Sequence, residues 1–342
     1  EYWSFHADGR EAFACEGGDL HVVSLTDGRR RTVAVEQPTP APGRGFVPWG
    51  VSATPAGDAV AVLWQEHVGG GHIGSEFHRK FATVYRLQPD RRRATPQQSF
   101  VLAGFDGVNG RLNREFVITP DGETIAFCAA DGRVVGYRVV DGTTRYSFEA
   151  GNTFASHPAT GRFAEGRTDR PDAFRIRDLR DGSLIGSWPL EAAVTRAQFA
   201  PDGETIYIGL ASGTLAQHRV HDGRVVSRLE SALAPFAISH QGDRFVGRAE
   251  DNVSTAAAGG SAWTPGSLVV ADLKTGRSVA TLADTAHILN RAAFGADDAW
   301  IASVTERTVV RFTAAVSPDR AVALLEETVP VPTAESDQTT AR

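Results

Sequence analysis

The sequence predicts an all-β fold made of repeated four-stranded antiparallel sheets, because one hairpin pattern recurs along the chain. Alternating apolar runs flank a Pro-Asp-Gly turn at 115–127 and again at 197–208. In this turn Pro presets φ, Asp bonds its own backbone and Gly adopts positive φ, so each copy predicts a β-hairpin. A second Asp-Gly turn follows the first by 20 positions in both copies, at Asp141 and Asp222. This interval leaves room for two further strands and a loop.

The repeat unit therefore contains four strands, A to D, in chain order. Strands A and B flank the first turn, whereas strands C and D flank the second turn and are predicted at 133–139 and 143–148 in the third unit. The first turn occurs seven times, at positions 8, 57, 121, 160, 202, 242 and 297. The second turn occurs at 27–28, 141–142, 181–182, 222–223 and 275–276. The four first turns from 121 to 242 are 39, 42 and 40 residues apart, which defines the basic unit, and longer spacings indicate inserted loops.

Radial stacking is expected for such units, because an isolated four-stranded sheet leaves two edges open and one face unburied. Seven units with insertions account for nearly all of the 342 residues. We therefore predict a seven-bladed β-propeller of four-stranded antiparallel blades over residues 1–326. Residues 327–342, with two prolines and a polar run, are predicted to form a flexible C-terminal tail. Blades 1 and 7 are expected to meet by side-chain packing, unless an upstream segment supplies a strand.

Three segments of the repeats, at 199–203, 271–276 and 287–294, carry recognisable motifs. The first reads Phe-Ala-Pro-Asp-Gly, and the third is a His-led start of strand A. With these motifs the chain resembles the propellers of the WD-repeat and YVTN-like class, which implies the fold but, because many functions share it, no particular activity. The Trp that ends strand C in that class is replaced by other residues, namely Val23, Tyr137, Arg177, His218 and Ala271. Only Asp178 and Asp272 keep the following Asp, so the propeller is divergent and lacks most of that class's buried Asp-His-Ser-Trp network.

Composition and charge limit the function classes. The chain has 41 acidic and 35 basic residues, and its net charge of −6 argues against non-specific capture of nucleic acid or anionic membrane. No apolar run reaches the roughly 18 residues of a membrane span. Cys15 and Cys128 fall at the same place on strand B of blades 1 and 3, too far apart for a disulfide, so buried thiols are expected. Arg supplies almost every cation, which is typical of a GC-rich bacterial genome.

Loop lengths single out one face of the propeller. Blades 2 and 6 carry insertions between strands B and C, at 67–80 and 250–265, and the D–A connections at 36–48 and 103–113 are long. In this architecture the B–C and D–A loops emerge on one face, and functional loops concentrate where a rigid scaffold tolerates variation. The binding residues expected in these loops are His72, His78 and Trp263. The alternatives are neutral insertions, solvated histidines that bind no zinc, and a tryptophan folded back onto the scaffold.

Charged residues are also expected around the axial mouth, where strand A begins. Counting back six positions from the turn Asp reaches Arg196, Arg291 and Glu115. Arginine forks bind carboxylate or phosphate, while aromatic side chains supply apolar contact. The predicted binding residues of the mouth are Tyr2, Trp49, Arg114, Glu115, Phe154, Arg196 and Arg291. Pairing of Glu115 with an Arg across a wet channel is the alternative interpretation.

No catalytic constellation, metal site or cofactor motif stands out in the sequence. We therefore expect a non-catalytic platform that binds a protein or peptide on the B–C/D–A face. The expected form is a monomeric propeller, and fusion to an upstream domain of a larger bacterial regulatory or sensor protein is compatible with it. The alternatives are a lactonase-like or lyase-like propeller enzyme with a small-molecule pocket at the mouth, and a purely structural subunit. A cytoplasmic location is slightly favoured, and neither nucleic acid nor a membrane is expected as a partner.

Overall fold

The structure of the chain is a computed structural model, and β-strands are its regular elements. It describes residues 2–6, 9–16, 18–26, 29–39, 42, 44–68, 77–88, 93–102, 116–128, 133–151, 153–157, 159–167, 171–230, 234–248, 268–282, 291–298, 300–304, 308–313 and 325–330. Within these ranges the fold is all-β, as the repeats predict. The same ranges contain no helix with the length and apolar character needed to cross a bilayer.

The strands are numbered β1 to β28 in chain order. Strands β1 to β8 are Tyr2–Phe5, Glu11–Glu16, Asp19–Ser24, Arg30–Val33, Arg44–Ala53, Ala59–Val68, Phe77–Leu87 and Ala94–Val101. Strands β9 to β16 are Phe116–Ile118, Thr124–Cys128, Arg133–Arg138, Thr144–Glu149, Thr153–His157, Arg162–Gly166, Ala173–Asp178 and Leu184–Pro189. Strands β17 to β24 are Val194–Phe199, Thr205–Leu210, Thr214–Arg219, Val225–Glu230, Ala234–Ile238, Arg244–Arg248, Leu268–Asp272 and Ser278–Leu282. Strands β25 to β28 are Arg291–Phe294, Trp300–Val304, Thr308–Thr313 and Leu325–Pro330.

Every sheet consists of four consecutive strands that pair in an antiparallel meander. In chain order, sheets 1 to 7 are β1–β4, β5–β8, β9–β12, β13–β16, β17–β20, β21–β24 and β25–β28. The predicted four-stranded antiparallel units are therefore confirmed. The predicted strands C and D of the third unit correspond to β11 and β12.

The first turn of sheet 3 shows why the Pro-Asp-Gly pattern forms a hairpin. Gly122 has a φ of 73°, a left-handed conformation that glycine adopts without steric cost. The Asp121 carboxylate accepts a hydrogen bond from the Glu123 amide at 2.9 Å. The Thr119 hydroxyl oxygen accepts one from the Thr124 amide at 3.0 Å, so the turn satisfies its own backbone donors.

Buried apolar clusters join each sheet to its neighbours around a common axis. Phe13 and Trp64 belong to the cluster between sheets 1 and 2, for example. The first and last sheets are joined in the same way, because Ala14 of sheet 1 and Trp300 of sheet 7 share one cluster. The first strand of each sheet lies innermost, and the chain of contacts between inner strands includes β1 with β5 and β17 with β21. The sheets thus have a propeller arrangement.

A second inter-sheet contact repeats on the outer side of the propeller. A side chain of the fourth strand of one sheet lies directly beneath the C–D turn glycine of the next sheet. A Cβ atom added to Gly142 would lie 2.6 Å from Phe100, and one added to Gly182 would lie 2.7 Å from Tyr146. The same relation holds for Gly223, which sits on the buried ring of Trp188. We call this contact the glycine–aromatic staple.

Two of the residues that replace Trp at the end of strand C, Arg177 and His218, have polar roles of their own. Arg177 donates to the Gly182 carbonyl at 3.0 Å, and His218 is bonded in the same way to the Gly223 carbonyl at 2.9 Å. Arg177 also pairs at 3.0 Å with Glu165, whose side chain is fully buried. Each of these side chains therefore secures the C–D turn of its own sheet.

Three predicted boundaries differ from the strand bounds of the structure. The insertion predicted at 67–80 is partly strand, because β6 continues to Val68 and β7 begins at Phe77. The two strands pair as far as His67 with Phe77, with one register shift between Gln65 and His67. Strand β5 begins at Arg44 rather than at the predicted Trp49, since residues 44–48 pair with the extended end of β6. The final strand reaches Pro330, so the predicted tail boundary at 326 lies inside β28, which pairs with β27. The insertion at 250–265 and the connection at 103–113 lie outside the described residues.

Candidate functional site

The inner strands surround a central channel with a volume of about 340 Å3. Each of the seven first strands contributes to its wall, which contains comparable areas of polar and apolar surface. Such a volume lies at the lower end of the range for small-ligand pockets, roughly 300–1,000 Å3. The channel is therefore wide enough for a small group.

Small and polar side chains form the middle of the wall. Ser4, Ser52 and Gln198 line the channel at equivalent positions of β1, β5 and β17. Ser52 Oγ accepts a hydrogen bond from the Ile118 amide of the neighbouring sheet at 3.1 Å, so its hydroxyl hydrogen can be directed elsewhere. Ala residues occupy the corresponding positions of sheets 4, 6 and 7 and leave the channel open, namely Ala155, Ala237 and Ala293.

The end of the channel where the inner strands begin is the mouth. Arg196 lines the channel there and is half-buried. Strand β5 has ten residues, whereas β17 has six, and the extra residues precede Gly50 at this end. At about 3.3 Å per residue, sheet 2 projects roughly 13 Å beyond the ring beside the mouth. We call residues 44–48 and 64–68, which pair with one another, the sheet 2 extension.

Internal contacts make the sheet 2 extension a defined structural element. Arg44 Nη1 lies 2.7 Å from Glu66 Oε2, and the Glu66 side chain is 2% exposed. The rings of Phe46 and Phe81 pack edge to face with centroids 5.2 Å apart. An ion pair with a buried carboxylate and a half-buried guanidinium, together with an aromatic pair, thus connects three neighbouring strands beside the mouth.

The opposite end of the channel is closed in by the first turns of the sheets, and two histidines there connect neighbouring turns. His157 Nε2 bonds to the Pro201 carbonyl at 3.2 Å, so Nε2 carries the hydrogen and Nδ1 accepts from Thr160. Burial lowers the pKa of His157, which favours this neutral form. The His240 ring contacts Asp298 at 3.1 Å, and the Asp298 carboxylate also accepts the His240 amide at 2.7 Å. These histidines hold the turn end together.

A small apolar recess opens beside the channel between sheets 3 and 4. It has a volume of about 20 Å3, and its walls include Ala126, Val134, Phe163 and Leu179. The recess shares further wall residues with the channel, namely Val117, Phe154, Ala155 and Ser156. A cavity that holds a single water has a volume of roughly 10–15 Å3, so the volume of the recess is suited to one small aliphatic group.

The structure brings together only some of the residues predicted for the mouth. Arg196 and Phe154 both line the channel, Phe154 one level deeper than Arg196. Tyr2, Trp49 and Arg291 lie in β1, β5 and β25, but their side chains are outside the described part. His78 lies in β7 with the same restriction. The remaining predicted residues fall outside the described residues altogether, namely Arg114, Glu115, His72 and Trp263.

The described residues also include side chains that the sequence reasoning missed. Ser4, Ser52 and Gln198 each stand two positions before the residue that opens the first turn. Counting back from the turn aspartate by four instead of six finds Ser4 and Gln198, so a signal existed in the repeat itself. The prediction for Cys15 is confirmed, since the thiol is buried and free, and burial raises its pKa to about 12.

The chemistry of the described channel wall is that of hydrogen-bond donors, a guanidinium group and apolar surface. None of the described lining residues is Asp or Glu. Elsewhere in the described ranges, no group of three or more His, Cys, Asp or Glu side chains is arranged to hold a metal ion. No protein-family model matches this sequence, and no curated protein matches it either.

Proposed function

We propose that the chain is a single closed seven-bladed β-propeller, divergent from the WD-repeat and YVTN-like class, that binds a protein or peptide at the channel mouth. Seven four-stranded sheets support the blade count. The buried clusters between consecutive sheets, including the one between sheets 1 and 7, support closure of the ring. The Pro-Asp-Gly hairpins that repeat in sheets 3 and 5 support the class.

The sheet 2 extension beside an open channel is the observation that carries the binding proposal. The first strands of sheets 4 to 6 have five or six residues, whereas β5 has ten, so the ring does not require the full length of β5. The sheet 2 extension provides a wall about 13 Å high, against which a partner can lie while it inserts a side chain or terminus into the channel. Hydroxyl, amide and guanidinium groups in the channel wall are suited to hold such a group, which favours binding over the lactonase-like or lyase-like alternative.

Peptide selection on the full chain tests this proposal. A random peptide library is selected against the immobilised protein. The affinity of the enriched peptides is then measured for the unmodified protein and for the double variant Arg196→Glu, Arg291→Glu. We expect binding to weaken about 30-fold or more, which corresponds to the loss of one central contact residue. The matched control reverses two arginines on strands β7 and β20 away from the channel, Arg86→Glu with Arg228→Glu, and should bind normally.

Two outcomes would reject the proposal. Selected peptides that bind the mouth variant and the control variant equally would place binding elsewhere. Failure to enrich any peptide, with folding verified by circular dichroism, would reject peptide binding at this face.

A further inference from the structure

From the channel wall we propose that the bound group is a small aliphatic carboxylate, presented as the C-terminal residue of the partner. This inference rests on the proposed binding function and specifies the chemistry that the mouth recognises. It combines two neighbouring features, a polar channel wall that carries Arg196 and an apolar recess, which share four wall residues.

The charge of the wall favours an anion. The whole chain is acidic, with a net charge of −6, yet the charged side chain that the described wall presents near the mouth is that of Arg196. Planar guanidinium groups bind carboxylates through two parallel hydrogen bonds. Gln198 also lines the channel two residues further along the strand of Arg196, and its amide can supply a further hydrogen bond to the same anion.

The recess adds the aliphatic part of the specificity. Its wall is almost entirely apolar, and its volume of about 20 Å3 admits one methyl group, such as one branch of an isopropyl group, but excludes an aromatic ring. Phe154 belongs to both the channel wall and the recess wall, so the two cavities adjoin. The proposal places the carboxylate of one residue in the channel and the side chain of the same residue in the recess. A chain terminus with Ala or Val carries these two groups on the same carbon.

Binding of small probes to the full chain tests the chemistry directly. The probes are N-acetyl-L-valine, its amide, and N-acetylglycine, with affinities measured by calorimetry or ligand-observed NMR. We expect the valine acid to bind at least about tenfold more tightly than the amide, because a hydrogen bond to a charged group is lost in the amide. It should also bind about 16-fold more tightly than N-acetylglycine, because the Cβ and the one methyl that the recess admits are buried and each contributes roughly fourfold.

Variants assign the two features separately. Arg196→Gln should remove the preference for acid over amide, whereas the control Arg228→Gln, on the exposed outer strand of sheet 5, should keep it. Ala126→Val fills the recess and should remove the preference for valine over glycine while acid binding persists. If Ala126→Val does not fold, Val117→Ile fills the same recess with one added carbon and replaces it.

Each result decides one part of the inference. Equal binding of acid and amide, no binding of any probe at millimolar concentration, or an unchanged preference in Arg196→Gln would overturn it. Selected peptides that bind the mouth without a free C-terminus would also overturn it, although the proposed function would stand. If N-acetyl-L-valine binds but peptides ending in valine do not, the carboxylate site stands and its source is a free small molecule, so the peptide function fails.

Discussion

The glycine–aromatic staple makes a quantitative prediction, because two C–D turn glycines share a backbone conformation but differ in their surroundings. Gly223 and Gly276 have φ values of 68° and 69°. A Cβ atom on Gly223 would lie 2.7 Å from Cε3 of Trp188 and closer still to its Cγ and Cδ2. A Cβ atom on Gly276 would meet nothing nearer than the Glu230 carbonyl oxygen at 3.4 Å. Alanine at either position is therefore strained, but only alanine at Gly223 also collides with a ring.

The two penalties can be estimated separately. The left-handed conformation costs alanine about 1–2 kcal/mol at both sites. Overpacking adds about 1–3 kcal/mol at Gly223, because Trp188 is held between Phe174 and His218, with ring centroids 5.6 Å and 5.7 Å away, and cannot shift freely. Gly223→Ala should thus lower the free energy of unfolding by about 2–5 kcal/mol, and Gly276→Ala by about 1–2 kcal/mol.

Urea denaturation followed by tryptophan fluorescence and circular dichroism measures both values. The same pair is then measured in a Trp188→Leu background, where the flexible smaller side chain can move away. In that background the penalty of Gly223→Ala should fall to that of Gly276→Ala, which identifies the ring as the cause. Equal penalties for the two glycines in the native background, or no coupling to Trp188, would refute the staple as a source of stability.

Two further predictions concern buried ionisable side chains. Arg177→Met should destabilise the fold by about 3–5 kcal/mol, because it leaves the Glu165 carboxylate buried without its cation, and Arg177→Met with Glu165→Leu should recover most of the loss in urea titrations. Recovery of less than a third would contradict this. Burial lowers the pKa values of His157 and His218 below 6.5, so the unfolded state takes up protons first as pH falls and stability is lost below that pH. The drop in urea midpoint between about pH 7.5 and about pH 5.5 should shrink in His157→Gln and in His218→Gln, and an unchanged drop would exclude these histidines as its cause.

Local turn chemistry explains why the hairpins could be predicted from the sequence. The Pro-Asp-Gly turn at 120–122 requires nothing beyond its own residues, as the Asp121 and Thr119 hydrogen bonds show. The sheet 2 extension could not be predicted in the same way. Its strands continue through Arg44 and Glu66, and these two side chains pair across the sheet. In the sequence, the alternating pattern of β6 is followed by three glycines at 69–71, which are typical of a loop.

The site was predicted only in part, for a related reason. The place of Arg196 in the channel wall could be predicted by counting along strand A, because the repeat sets the position of each strand A residue along the propeller axis. The apolar recess depends instead on how far Phe154 and Val117 of two neighbouring sheets lie apart, and no pattern within one sheet encodes that distance. The roles of Arg177 and His218 at the end of strand C could not be predicted, because a guanidinium and an imidazole replace the indole ring of the WD-repeat class. Both groups bond to the carbonyl oxygen of the glycine in their own C–D turn.

The staple also determines which segments of the chain are interchangeable. Each contact joins the last strand of one sheet to the second turn of the following sheet, as Tyr146 and Gly182 do. A segment that consists of one sheet, cut at the start of strand A, therefore contains the turn glycine of one staple and the aromatic residue of another. Exchange of that segment between two proteins pairs a foreign aromatic residue with a native turn at one end, and the reverse at the other end. Because each D strand follows directly after its own C–D turn, the staples of Gly142, Gly182 and Gly223 link sheets 2 to 5 in one series. A chimaera that exchanges sheet 3 or sheet 4 alone would thus mismatch a staple at each end, and exchange of sheets 2 to 5 together would keep all three.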